Sequence, residues 1–489
     1  MAEIKILGET KLVYGGFIYL RSKLPVNGKT YWECQKVRRK ECKARIITTF
    51  NISENKHNFV REPALDDHDH IPNQEQCQSE IVKYSLKRKA ENQPQLPPTQ
   101  ILRTEMAGVS DGVLSQLPNR DNLKKSMRQV RRKNLPPNPK TLFDLGTFPD
   151  QYQKTLTGEK FLIYDSLDGN SVSEGRVVVF STRRNLELLA ESDCWFLDGT
   201  FKVCPNIFTQ VFTILGTCKQ HVDVHDTVAV PFVYALLSSK ETVQYATVLR
   251  AVQSSFNEHR IFCEPVKIMT DFEKSIINAC EEVFPNSAIS CCFFHFGQSM
   301  YRQIQFAGLQ AAYNDPDDRS LKYFTHMMLA LAFVPLTEVS RIFSLLKNDA
   351  PEALSPIIEY FEKNYVLGVI ARGRRRGIHP RYPPKIWNQY QAALTGSHKT
   401  NNVSEGWHNR FQLVVGKHHP DLYSALGEFQ KEQGDVEIMI SELSLGRKVR
   451  AQPKRKWRDF QMRIMAITAD FNTYQELDFL KAIAHNIVL

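Results

Sequence analysis

The sequence predicts an α/β domain with a helical insertion, preceded by a small β-rich metal-binding unit. Three observations carry this. Residues 155–300 run in the order three strands, helix, strand, helix, strand, while residues 301–399 have helical spacing throughout. Residues 1–72 are rich in β-formers and turn signals and hold paired cysteines and histidines. At 489 residues the chain is too long for one ordinary domain, and 42% hydrophobic with 24% charged residues suits packed cores. A net charge of +10 favours an anionic partner, nucleic acid foremost. Ten cysteines are too few for a disulfide scaffold and read as reduced thiols and metal ligands of a cytosolic or nuclear protein. No apolar signal-peptide core follows Met1, and the longest apolar run, Met327 to Leu336, is about half a membrane span. A soluble protein is expected.

In the first unit, 1–72, Gly15-Gly16 and Pro25-Val26-Asn27-Gly28 mark turns, and Asn27-Gly28 between apolar-aromatic stretches is a hairpin signal. So short a unit needs a metal to staple it. Cys34-x7-Cys42 and His68-x-His70 offer four ligands of the types zinc prefers. The spacing alone leaves open a zinc site or incidental surface residues. The aromatics add to it: Phe17, Tyr19, Tyr31-Trp32, Cys34, Cys42, His68 and His70, in that order, resemble the FLYWCH zinc-finger family, with Tyr19 standing where leucine is usual. The resemblance implies Zn²⁺ held by Cys34, Cys42, His68 and His70, and a small β core packed by Phe17, Tyr31 and Trp32. DNA or a protein is the implied partner, and Lys36, Arg38, Arg39, Lys40, Lys43 and Arg45 favour DNA.

Residues 73–154 read as a basic linker rich in Gln, Pro, Lys and Arg, with proline pairs at Pro97-Pro98 and Pro136-Pro137. A helical patch from Asp121 to Lys133 carries Lys124, Lys125, Arg128, Arg131 and Arg132 as expected DNA contacts.

The core follows at 155–300. Cys194 to Leu197 and Phe208 to Leu215 are apolar strands, and Val228 to Leu237, interrupted by Pro231, suits an edge strand. A helix with Tyr245, Leu249, Val252 and Phe256 on one face comes next. A strand (Val266 to Met269), a helix around Ile276 to Phe284 and a strand (Ile289 to Phe294) close the pattern. This order resembles the ribonuclease H-like fold. Residues 301–399 form the insertion, with helices at Leu321 to Phe333, Leu336 to Leu346 and Glu352 to Tyr365. Residues 400–489 end the core and add carboxy-terminal helices.

Three acids punctuate this layout. Asp198 and Asp271 each end an apolar strand, and Glu405 lies in a helical context. Phosphoryl transfer needs its anionic transition state neutralised, and hard carboxylate oxygens holding two Mg²⁺ ions do this without a nucleophilic side chain. Each acid alone is as compatible with a strand end or a solvated position. Asp-Gly-Thr-Phe at 198–201, Thr-Asp-Phe-Glu at 270–273, Cys292-x2-His295 and Thr-Asn-Asn-x2-Glu at 400–405 resemble the MULE family of Mutator-like transposases. The resemblance implies a DNA transposase: Asp198, Asp271 and Glu405 hold catalytic Mg²⁺ or Mn²⁺, and double-stranded element ends and target DNA are the substrates. It further implies action in the nucleus, with a homodimer as one assembly. A domesticated DNA-binding regulator without catalysis is the alternative.

Other candidates receive plainer readings. Cys292 and His295 are read as structural, Asp223, His225 and Asp226 as solvated, and Glu273 as non-catalytic. Asn402 and His408 are expected near Glu405, packing the helix or facing solvent, or else orienting Glu405 or touching DNA. The basic runs Lys87-Arg88-Lys89, Arg372-Gly373-Arg374-Arg375-Arg376 and Lys454-Arg455-Lys456-Trp457-Arg458 are DNA contacts, nuclear localisation signals or solvated surface, with Arg374 and Arg375 the preferred phosphate contacts.

Overall fold

A computed structural model describes residues 4–36, 42–51, 56–63, 67–93, 96–133, 135–168, 175–220, 227–369, 376–449 and 455–487. The chain divides into two compact units, residues 1–137 and 138–489. No helix among the described residues is long and apolar enough to cross a membrane.

The first unit opens with six strands, β1 (Lys5–Leu7), β2 (Lys11–Tyr14), β3 (Phe17–Arg21), β4 (Lys29–Cys34), β5 (Arg45–Asn51) and β6 (Lys56–Arg61), paired antiparallel in sequence order. Asn27 (φ 49°) and Gly28 (φ 73°) both take the left-handed conformation that a tight two-residue hairpin turn demands, and Val26 and Lys29 exchange backbone hydrogen bonds across it. One face of the sheet buries Leu12, Phe17, Tyr19, Trp32 and Ile46 around Cys34 and Cys42. Tyr31, expected in that core, is outside it: side chains alternate along a strand, so burying Trp32 turns Tyr31 away, where Lys23 stacks on its ring at 4.0 Å.

The other face packs Leu7, Val13 and Ile18 against Cys77, Ile81 and Tyr84 of a helix, Gln74–Asn92. That stretch was expected as linker. Its polar composition hides Val82, Leu86 and Ala90 at four-residue spacing, which pack with Ile101, Leu102, Leu123 and Met127 of the helices Pro98–Glu105 and Arg120–Lys133.

The second unit is built on a seven-stranded sheet. Its strands are β7 (Leu162–Asp165), β8 (Val177–Phe180), β9 (Trp195–Thr200), β10 (Gln210–Lys219), β11 (Thr227–Leu237), β12 (Lys267–Thr270) and β13 (Ala288–Cys291), in the order β13-β12-β9-β10-β11-β8-β7. β9, β12 and β13 are parallel and the remaining pairings antiparallel. β7 and β8 extend the sheet beyond the strands expected, so β11 is interior rather than an edge. Yet β8 pairs only with Tyr234 to Leu237, and Pro231 sits in the half of β11 beyond that reach, next to a bulge opposite Ile214 and Leu215. The missing proline N–H falls where no ladder bond is required of it. The buried pair Arg176–Asp165 (2.6 Å) ties β7 to the segment entering β8, and Arg176 also donates to the carbonyls of Leu145 and Gly146.

Helices Thr242–Glu258 and Lys274–Val283 pack Tyr245, Leu249, Val252, Phe256, Ile276 and Cys280 onto the sheet. Between residues 301 and 399 the chain is helical among the described residues, including Ser320–Ala330, Val339–Asn348 and Ser355–Phe361, and makes a separate apolar core around Phe333, Phe361, Tyr365 and Trp387. Helices Asn402–Val415 and Leu422–Ser444 then return to the sheet.

Candidate zinc centre and carboxylate site

In the first unit, Cys34 ends β4 and the other three candidate ligands lie in loops, a geometry that lets sequence-distant side chains meet over one sheet face. Cys34 Sγ lies 3.2 Å from His70 Nε2, and Cys42 Sγ 3.4 Å from His68 Nδ1. All four ligand atoms fall within 4.8 Å of one another. The set is two thiols and two imidazoles, the chemistry of a closed tetrahedral zinc site. Tyr19 Oη sits 2.7 Å from His68 Nε2 and Phe17 stacks on the His68 ring at 3.6 Å, so the imidazole is fixed with Nδ1 toward the cluster. The residue where leucine is usual thus holds a ligand in place. Burial pushes the Cys34 thiol up to about 11 and lowers His68.

In the second unit, the acids arrive by strand register. β12 lies parallel to β9 with Ile268 opposite Trp195 and Met269 opposite Phe196. Continuing that register sets Asp271, just past the end of β12, beside Asp198, which lies within β9 two residues before its end rather than ending it. Asp198 Oδ1 accepts from its own neighbour, Gly199 N, at 2.7 Å. Gly199 also has to be small: a Cβ there would meet Gln210 Oε1 at 2.4 Å.

The helix Asn402–Val415 brings Glu405 and His408 to the same place. His408 Nδ1 is 3.2 Å from Asp198 Oδ2, and its Nε2 is 3.3 Å from Thr213 Oγ1 on β10. His295 stands between the other two acids, Nδ1 2.8 Å from Asp271 Oδ1 and Nε2 3.2 Å from Glu405 Oε1. Burial works against the His295 charge, but contacts with Asp271 and Cys292 outweigh it and push the imidazole up to about 10. Glu405 is raised by burial, with the charges of Asp271 and Asp198 adding to the effect and His295 opposing it. The helix is anchored from behind. Trp407 Nε1 donates to buried Glu432 (2.7 Å), Arg410 pairs with the same carboxylate, and Trp407 and Phe411 stack in a row toward Phe429.

Asn401, rather than the Asn402 singled out in the sequence, does the positioning. Its Nδ2 lies 3.3 Å from the Leu197 carbonyl and 3.5 Å from Asp271 Oδ1, while Ser404 Oγ donates to its Oδ1. Asn402 is exposed. Two consecutive asparagines leave the sequence no signal to choose between them. Only the helix phase does.

Cys292 and His295 also sit differently from expectation. The strand read as Ile289 to Phe294 stops at Cys291, and Cys292 caps a helix, Phe293–Phe306. Cap and third helical positions face one another. The Cys-x2-His spacing therefore brings these two side chains together beside Asp271.

Residues 194–299 match the family model of the MULE transposase domain. Residues 5–68 match that of the FLYWCH zinc finger domain. The chain therefore joins a MULE transposase domain to an N-terminal FLYWCH zinc finger and is transposase-related. A comparison with curated proteins finds no match. The MULE match takes in Asp198, Asp271, Cys292 and His295 and ends well before Glu405. The FLYWCH match takes in three of the four zinc-cluster residues and stops at His68.

Around these domains the expected phosphate contacts divide. On the helix Arg120–Lys133, Lys125, Arg128 and Arg132 are exposed, and Lys124 is 3.4 Å from Asp121. Arg131 is a correction. Its guanidinium turns inward and donates to the carbonyls of Ala90, Gln93 and Leu96, capping the end of the helix Gln74–Asn92. Lys36, Lys43 and Arg45 are described. Arg38, Arg39, Lys40, Asp223, His225, Asp226, Arg372, Arg374, Arg375 and Lys454 lie outside the described residues. Glu273 accepts from Tyr245 Oη (2.6 Å) and lies 3.7 Å from Lys240, a structural use.

Proposed function

We propose that the second unit is a DNA-cutting and strand-joining transposase core of ribonuclease H-like type, with Asp198, Asp271 and Glu405 as its catalytic carboxylates. The observation that carries this reading is the register of β9 and β12. It sets two aspartates side by side, while the Asn402–Val415 helix brings Glu405 to within contact of the histidine that touches Asp271. The strand order β11-β10-β9-β12-β13, three antiparallel strands followed by two parallel ones joined through helices, supports the same fold. The donor set fits a hard divalent cation: three carboxylates, of which Glu405 is raised first by burial and further by the charges of Asp271 and Asp198. When bound there, Mg²⁺ or Mn²⁺ supplies Lewis acidity for the attacking and leaving oxygens of a phosphodiester.

The chain's own residues prepare the site. His408 fixes the rotamer of Asp198 from the Glu405 helix, so one element sets two of the three acids. Asn401 ties the ends of β9 and β12 together. His295 is the positive charge that lets Asp271 and Glu405 approach one another while no cation lies between them. The finger and the exposed basic face of the helix Arg120–Lys133 hold DNA, through Lys125, Arg128 and Arg132. Nuclear action and a pair of chains on two DNA ends belong to the same reading.

The test is Mg²⁺-dependent nicking and joining of a duplex carrying the ends of the element that encodes the chain. Activity lost in Asp198→Ala and Glu405→Ala, with both variants folded, supports the reading. Tight, salt-sensitive duplex binding with no cleavage by the wild-type chain overturns it in favour of a DNA-binding regulator derived from such an enzyme.

A further inference from the structure

Beyond the carboxylates, we propose that Asp271, Cys292 and His295 form a second site for a soft divalent cation, of which Zn²⁺ is the natural occupant. One oxygen, one sulfur and one nitrogen of these side chains lie within 4.8 Å of one another. Ligands around a tetrahedral zinc are roughly 3 to 4 Å apart, so small rotations close the set. Three protein ligands with a fourth position left to solvent is the pattern of an open zinc site.

Two features at the site point to a cation independently of proximity. His295 Nδ1 is buried 2.8 Å from Asp271 Oδ1 and has no hydrogen-bond partner, an orphaned nitrogen beside a carboxylate and a thiol. Its other nitrogen lies 3.2 Å from Glu405, the carboxylate partner that metal-bound imidazoles usually have on their far side. The second feature is at sulfur. The fully buried Cys292 Sγ accepts the backbone N–H of Asn401 at 3.1 Å, which fixes the sulfur beside Asp271 and His295. The local fold supplies the arrangement: Cys292 caps the helix Phe293–Phe306, so His295 projects from its first turn to the same side.

Sulfur and imidazole select against Mg²⁺, so this site differs in preference from the all-oxygen set. The two overlap at Asp271 alone, and only that overlap rests on the transposase reading. One carboxylate then faces a hard and a soft cation, and occupancy by zinc displaces Asp271 from the other role.

The experiment is zinc content per folded chain, measured after equilibration with micromolar Zn²⁺, supported by Co²⁺ absorption spectra. The full-length protein should bind about two equivalents, one of them in the Cys34/Cys42/His68/His70 cluster. Cys292→Ser and His295→Gln should each bind about one, with the Co²⁺ spectrum of the finger retained as the internal control. Asp198→Asn should keep both. About one equivalent in the wild type, or about two in both Cys292→Ser and His295→Gln, overturns the proposal. Loss of the second zinc in Asp198→Asn also overturns it, placing the ion among the carboxylates. Because zinc content is read without DNA, failure of Mg²⁺-dependent cleavage leaves this result standing, and the reverse holds too.

Discussion

The zinc cluster of the first unit and the carboxylate site of the second are assembled in opposite ways. Cys34, Cys42, His68 and His70 come from a stretch of fewer than 40 residues and close on one another, leaving no position for a substrate. Leu197 and Asn401, which hold the carboxylate site together, are 204 residues apart, and Asp271 and Glu405 there stay half-buried. A closed set of four ligands stabilises a fold, whereas an open set of acids on a large scaffold is free for chemistry. The contrast predicts that the finger depends on an ion to fold, while the second unit, with its larger apolar cores, keeps its shape without one.

Removing the ion breaks the comparison most sharply. Replacing Cys34 and Cys42 by Ser should cost the finger on the order of 10 kcal/mol and melt it, with loss of the Phe17, Tyr19 and Trp32 core. Differential scanning calorimetry should show the transition of the second unit unmoved. If both transitions shift together, the contrast fails. Next in size is Trp407→Ala, which removes the anchor of the Glu405 helix. It should destabilise the second unit by about 3–5 kcal/mol in denaturant titration and leave zinc content unchanged.

Tyr19→Phe tests the finger more finely. Losing the hydroxyl beside His68 Nε2 should weaken zinc binding about 10–100-fold in a competition titration with a chelator, without unfolding at saturating zinc. The smallest effect is on pH dependence. His398 is held down to about 4, first by burial and then by the charges of Lys267 and Lys399, below its ordinary 6.5. Between those two values the unfolded chain binds the extra proton, so stability contributed by neutral His398 is present above pH 6.5 and lost as pH falls toward 4. The loss should be on the order of 1–2 kcal/mol in urea titrations of the second unit, and His398→Gln should flatten that slope.

Much of the sheet was legible because buried parallel strands announce themselves as apolar runs, and Trp195 to Leu197 and Ile268 to Met269 do so. The ends of such runs were less so. Ile289 to Phe294 is apolar but for Ser290, and periodicity has no means to show that the strand stops at Cys291 and a helix begins. The helix Gln74–Asn92 was hidden for the opposite reason, since its buried positions include Ala90 and Ser79 among lysines and glutamines. Arg131 shows the limit for charge runs. Exposed Arg128 and Arg132 flank a guanidinium that caps carbonyls more than thirty residues away in sequence, and composition cannot separate them. The acids were proposed from their motifs, and His408 was expected near Glu405. That His408 reaches Asp198 and that Asn401 sits between the strands depend on helix phase and emerge only with coordinates.

The helical block between residues 301 and 399 has a consequence in time. On the ribosome, β9 and β12 are complete long before the Asn402–Val415 helix exists, and the anchor at Glu432 is made later still. Asp198 and Asp271 therefore wait without Glu405 or His408, and the core of the insertion waits too, since Ile464, Phe479, Leu480 and Ile483 complete it. The carboxylate site is therefore completed late, once the helix that carries Glu405 and the later helix that anchors it have both been made.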